Sequence, residues 1–232
     1  MCTKITWAVV VALIVMGLNQ FLLPPVLENR VEQALQDRLM EPDYLKVDIQ
    51  SWPAVMSLMG RFHRIHIEAR DFAVDGLPVS VFLVQGRQVR LDPGALYHNG
   101  QVVLENAADL RLTVLLSEEG INQYFWRQVD PEKRLRISLT PEGAVLEGAI
   151  VFFGQQIDLA VQGIFEIRDQ TRIVFMPEAL TVHDIVVPQV ILKGLVEDKV
   201  LLMDLAGLPV PLVIDEMRLE QGQLYAFGHY EK

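Results

Sequence analysis

RFHRIHIEAR, Arg61 to Arg70, decides the fold class. Ile65, Ile67 and Ala69 point one way, and Arg64, His66, Glu68 and Arg70 the other. A period of two is the signature of a strand with one face buried. The same pattern recurs along most of the chain. Leu45–Gln50, Val79–Gln85 and Gly86–Asp92 read as strands, with Asp92-Pro93-Gly94 as a turn. Gln101–Glu105 and Leu110–Leu116 follow, and then Leu135–Leu139, Ala144–Phe153, Gln156–Arg168 and Arg172–Val182. Val190–Leu192 is a short strand, and Ile214–Glu220 pairs with Gln223–Phe227 across the turn Glu220-Gln-Gly-Gln223.

Helical patterns are few. Val26–Met40 places Leu27, Val31, Ala34, Leu35 and Leu39 on one stripe. Ser51-Trp52-Pro53 opens a short helix over Ala54–Met59, which Gly60 stops. That helix has no polar face, so it is either buried or pressed against lipid. Ser117 caps a third helix, with Glu118 and Glu119 in its first turn, Ile121, Tyr124 and Phe125 as its buried stripe, and Pro131 at its end. No strand-helix-strand alternation appears. The expected fold is therefore α+β: a long, curved antiparallel sheet with a few packed helices.

Ahead of this body lies ITWAVVVALIVMGLNQFLL, Ile5 to Leu23, a run without a charge and about the length of a bilayer-spanning helix. Eleven of its positions are Val, Ile, Leu or Phe, worth together about −3 to −7 kcal/mol of insertion free energy. A cleaved signal peptide is the alternative. It would end in a small-x-small site, which neither Gly17-Leu18-Asn19 nor Leu22-Leu23-Pro24 supplies. Residues 1–24 are thus expected to be an anchor and 25–232 a single domain. Lys4 before the run, against a cancelling Glu28 and Arg30 after it, favours a cytoplasmic N-terminus and an extracytoplasmic body.

A net charge of −10 argues against nucleic acid as a partner. Cys2 is the one cysteine, so no disulfide can form within the chain. It precedes the apolar run, whereas the lipidated cysteine of a lipoprotein follows one. No HExxH, G-x-S-x-G, phosphate loop or dinucleotide fingerprint occurs. His63 and His66 fall on opposite strand faces and make poor joint metal ligands. Neither an enzyme nor a cofactor or metal is expected.

Two features point to lipid. Ala144–Phe153 (AVLEGAIVFF) is apolar on both faces: Val145, Ala149, Val151 and Phe153 on one, Leu146, Ile150 and Phe152 on the other. With few helices available to cover it, the first set is the candidate lining of an apolar groove. The bland alternative is a sheet buried on both sides. Then Arg61–Arg90 carries arginines at 61, 64, 70, 87 and 90 against Glu68, Asp71 and Asp75. Arg61, Arg64, Arg70 and Arg90 are the candidate docking residues for anionic headgroups or a membrane. The alternative is an ordinary solvated sheet face.

Three segments in succession carry a resemblance. They are LLPPVLENRVEQAL (Leu22–Leu35), PAVMSLMGRFHRIHIEARDF (Pro53–Phe72) and VDGLPVSVFLVQGRQVRLDPGAL (Val74–Leu96). Their order of Pro-Ala, Gly-Arg-Phe and Glu-Ala-Arg resembles the LmeA-like phospholipid-binding family of bacterial cell envelopes. The second half matches only as a strand pattern. The resemblance implies an exported or anchored protein that binds phospholipid in envelope upkeep, with an elongated sheet akin to tubular lipid-binding proteins. It implies no catalytic residues and names no protein partner. The rival reading is an anchored structural or adaptor module without a lipid ligand.

The Ile5–Leu23 run has a direct consequence. The full chain should remain in the membrane pellet after an alkaline wash, with its N-terminus intact, and deletion of residues 1–23 should release it. A mature N-terminus between Asn19 and Pro24 would make the run a cleaved signal.

Overall fold

A computed structural model of the protein describes residues 28–36, 39, 42–53, 55–99, 101–152, 155–182, 185–187, 202–208, 210 and 213–230. Residues 5–23, the expected anchor, lie outside these, as do Phe153 and the expected strand Val190–Leu192. Among the described residues no helix is long and apolar enough to cross a membrane.

The chain is mostly antiparallel β. It begins with helix α1 (residues 28–36), followed by β1 (Tyr44–Gln50), α2 (Val55–Leu58), β2 (Arg61–Val74), β3 (Leu77–Leu91) and α3 (Pro93–Asn99). Next come β4 (Leu104–Asn106), β5 (Asp109–Ser117), α4 (Glu118–Gln128), β6 (Leu135–Thr140), β7 (Gly143–Phe152) and β8 (Gln155–Arg168). It closes with β9 (Arg172–Val182), β10 (Ile185–Val187), β11 (Leu202–Asp204), β12 (Val213–Glu220) and β13 (Gln223–His229). Two sheets form instead of the one long sheet expected. One has the order β1-β2-β3-β5-β13-β12 with β4 on β3; the other runs β10-β9-β8-β7-β6 with β11 on β9. The described registers are all antiparallel.

The chain divides into two compact units. The first comprises residues up to Ala69 with Leu83–Arg111; the second comprises Arg70–Phe82 with Leu112–Glu231. In the first unit, Val31, Ala34, Leu35 and Leu39 are buried, as their helical spacing predicted, and so are Ile65, Ile67 and Ala69 of β2. The carboxylates of Glu28 and Glu32, one turn apart on α1, accept from the backbone N–H groups of Ile49 and Val47 at 3.1 and 3.3 Å. The outer edge of β1 is satisfied by a helix in place of a further strand.

Two sequence expectations change here. Gly86 does not separate two strands: β3 runs through it. A Cβ there would come within 2.6 Å of Leu110 Cδ1 and of Val89 Cγ2, so the glycine lets the neighbouring side chain close over the strand. Asp92-Pro93-Gly94 is a helix start, not a turn. Asp92 Oδ1 accepts from the N–H groups of Gly94 and Ala95 at 2.7 and 3.2 Å, with Pro93 at the first helical position of α3.

In the second unit α4 starts as the sequence predicted, Ser117 Oγ accepting from Gly120 N at 3.2 Å. Its side chains then read the edge of β6. Glu118 Oε2 accepts from Leu139 N at 2.9 Å. Asn122 Oδ1 accepts from Ile137 N at 2.7 Å, and its Nδ2 donates to Ile137 O at 2.7 Å. Trp126 Nε1 donates to Leu135 O, and Asp130 Oδ2 accepts from Leu135 N, both at 2.7 Å. Every second residue of the strand is thus met by every fourth residue of the helix. This is why β6 starts a new sheet: its free edge is already occupied.

Asn122 is fully buried at 0% exposure, so Asn122→Leu would strand the N–H and C=O of Ile137 without partners. Each buried orphan costs about 1–3 kcal/mol, and the loss should read as a lower denaturant midpoint with unchanged m-value. Burial, then Asp204 and Asp75, raise the pKa of Tyr124 on the same helix. A raised folded pKa means stability that is present below the ordinary tyrosine value of 10.0 and lost as pH rises through the folded one. The alkaline fall in melting temperature should be shallower in Tyr124→Phe than in the parent.

Candidate functional site

The second sheet has one apolar and one mixed face, and its registers define both. Ile137 pairs with Leu146, Leu146 with Val161, Val161 with Leu180, and Leu180 with Val187. That row is apolar across five strands. The next row runs Leu135, Gly148, Leu159, Val182 and Ile185, and beyond it Ile150 faces Ile157. At about 4.8 Å per strand, each full row is about 19 Å wide.

Burial changes along this face. At one end Leu139, Ala144 and Ile173 are sealed, with the rings of Phe165 and Phe175 meeting edge-on at 5.6 Å. Met203 and Leu205 are buried at the same end of the chain's contacts, where β11 joins β9. Moving toward the far rows, Leu146, Ile150, Ile157, Leu159, Val161, Val182 and Val187 are only half-buried, and Ile185 is 70% exposed. A continuous apolar strip therefore runs out of the core onto the surface. Large uncovered apolar area of this kind marks a binding surface more often than an accident of folding.

The opposite face is mixed. Ser138 pairs with Val145 and Val145 with Gln162; Arg136 pairs with Glu147, Ala149 with Asp158, and Val151 with Gln156. Val145 and Ala149 are half-buried there and Val151 is 56% exposed. Three of the four groove candidates thus share a face with Glu147, Gln156, Asp158 and Gln162; the fourth, Phe153, lies outside the described residues. Leu146 and Ile150, which the sequence put on the other side of β7, stand on the apolar strip. Glu147 was the available signal, since it interrupts the stripe of Val145, Ala149 and Val151. Asp158 repeats that signal on β8.

The four candidate arginines do not gather at one place within the first unit. Arg64 lines a cavity of about 430 Å³ with His66, Arg87 and Arg111, and with Asp48 and Asp109 as counter-charges. Asp109 sits 3.9 Å from Arg87 and 3.3 Å from Arg111, in exposed pairs worth little individually. Arg61 and Arg90 line a second cavity, of about 370 Å³, with His63, Met56, Phe62, Val89 and Asn106. Among the described residues no carboxylate lines this second cavity. Arg70 belongs to the second unit and lines neither cavity. Arg111 escaped the sequence reading because it lies outside the arginine-rich segment and reaches the cavity only through the pairing of sheet neighbours.

Among the described residues no three His, Cys, Asp or Glu side chains come together to hold a metal ion. Compared with known proteins, the chain matches one family model, described as LmeA-like phospholipid-binding, over residues 18–226. No curated protein and no solved structure matches.

Proposed function

Starting from the chain's membership of the LmeA-like phospholipid-binding family, we propose that it holds phospholipid against the half-exposed apolar strip of its second sheet. The observation that carries this is the row Leu146, Val161, Leu180 and Val187, apolar on strand after strand, with cover falling from the sealed Leu139 and Ala144 end toward Leu159, Val182 and Ile185 in the next row. An acyl chain in one leaflet spans about half of a ~30 Å hydrocarbon core, roughly 15 Å. The width of the strip accommodates that length. Each methylene moved from water onto such a face gains about 0.8 kcal/mol. A tail leaving a bilayer is already out of water, so its net preference for the protein is a small difference between two apolar environments. Such a balance suits a site that loads from and returns lipid to membranes.

The proposed setting is the bacterial cell envelope. The Ile5–Leu23 run holds the protein to the membrane, and Lys4 supports an orientation with the body on the extracytoplasmic side. Nothing in the described surfaces favours catalysis over holding, whereas the adaptor alternative leaves the strip without an occupant.

The two faces of β7 separate the readings in one experiment. Ile150→Glu places a carboxylate on the strip, where an ionised group against a lipid tail is costly. Ala149→Glu places the same group beside Asp158 on the mixed face. Phospholipid extracted from the purified protein should fall several-fold in Ile150→Glu and persist in Ala149→Glu, both variants being folded by circular dichroism. Equal loss in both would extend the site to Val145, Ala149 and Val151, while equal retention in both would remove β7 from it. Parent protein that carries no phospholipid in repeated preparations would favour the adaptor.

A further inference from the structure

Among the described residues of the first unit, the exposed large apolar side chains are Tyr44, Val103 and a group of four around α2. Trp52, Val55, Leu58 and Met59 are 70, 49, 44 and 58% exposed, and all lie within one short stretch around α2. The stretch is fastened at its base. Ser51 Oγ donates to Arg61 O at 3.0 Å, and Trp52 N donates to His63 Nδ1 at 3.1 Å. Leu91 N donates to Gly60 O at 2.8 Å. Gly60 has φ of +69°, and a Cβ on it would fall 2.0 Å from Leu91 O, so only glycine lets the segment close against β3. A built projection of this kind keeps its apolar groups in water by construction, not through loose packing.

Charge says what meets it. The chain carries −10 overall, yet residues 49–67 contain no Asp or Glu, while Arg61 and Arg64 lie within them. The cavity beside α2 is lined by Met56 of the projection together with Arg61, His63 and Arg90, and by no carboxylate among the described residues. Apolar prongs that include a tryptophan, set beside a cationic hollow, match the layering of a lipid leaflet: acyl chains, then an interface that tryptophan prefers, then anionic headgroups. A protein partner would require a counter-surface of equal oiliness, and a second copy meeting this face with its own would set arginines against arginines.

We propose that the Trp52–Met59 projection docks into the surface of an anionic bilayer, with Arg61 and Arg90 on the headgroups. This surface is distinct from the apolar strip of the second sheet, and the proposal stands whether or not that strip holds lipid.

The test reads depth at one position. Because Ile5–Leu23 can itself hold the chain on a vesicle, sedimentation would not report on the projection. The full chain carries Cys2→Ser and a nitroxide on Leu58→Cys, and is reconstituted into vesicles of phosphatidylglycerol and phosphatidylcholine. Val129→Cys, exposed at 42% in the parent, is the reference. The label at 58 should be protected from a water-soluble nickel chelate and open to oxygen, while the label at 129 stays open to nickel. Arg61→Gln and Arg90→Gln should each lower the ratio of docked to undocked protein about fivefold at low salt, and less at high salt. A label at 58 no better protected than one at 129 overturns the proposal. Protection that grows with the protein-to-lipid ratio also overturns it, because it would assign the patch to contacts between copies.

Discussion

An edge strand exposes backbone donors and acceptors that must be paired, and this protein's architecture depends on how that demand is met. At β6 the partner is α4. Glu118, Asn122 and Trp126 take Leu139, Ile137 and Leu135 in turn, and Asn122 saturates both polar groups of Ile137 while completely buried. At β1 the partner is α1, whose Glu28 and Glu32 take Ile49 and Val47. Two helices with different sequences solve the same problem with the same spacing. Without the first, β6 would be open to any neighbouring strand, and the apolar strip that begins on it would lose its boundary.

How much of this was legible in the residues depends on the kind of signal. Strands were legible wherever one face is buried, because alternation is a local signal: Ile65, Ile67 and Ala69 are the clear case. The start of α4 was legible from Ser117 and the two glutamates. The edge sealing was not, because Asn122 and Trp126 look like ordinary helix positions until Leu135–Leu139 lies beside them. Helix α3 was missed for a different reason. Asp-Pro-Gly is chemically suited both to a turn and to a helix start, and the residues that follow decide between them.

The candidate site divides the same way. That β7 carries unusual apolar content was plain from AVLEGAIVFF. Which side of it meets the rest of the strip was not, since both sides are oily in isolation and the choice is made by cross-strand partners far away in sequence. Val161, Leu180 and Val187 select the Leu146 side; Gln162 and Asp158 occupy the other. The arginines show the converse. Within the first unit the segment's arginines sort into two cavities, Arg64 with Arg87 and Arg61 with Arg90, because sheet neighbours and not chain order decide which side chains meet.

Helix and strand, laid side by side, act as a vernier. Four residues of α-helix advance about 6.0 Å, and two residues of antiparallel strand about 6.8 Å. The scales slip by about 0.8 Å at each contact, so three contacts accumulate a slip of roughly 1.6 Å, which side-chain reach absorbs. A fourth would need roughly 2.4 Å, comparable with the length of a hydrogen bond. β6 has six residues, about as far as the two scales stay in step. The length of strand that a straight helix can seal is therefore limited by the incommensurate rises of two regular structures, and a longer helix could not seal a longer strand without bending.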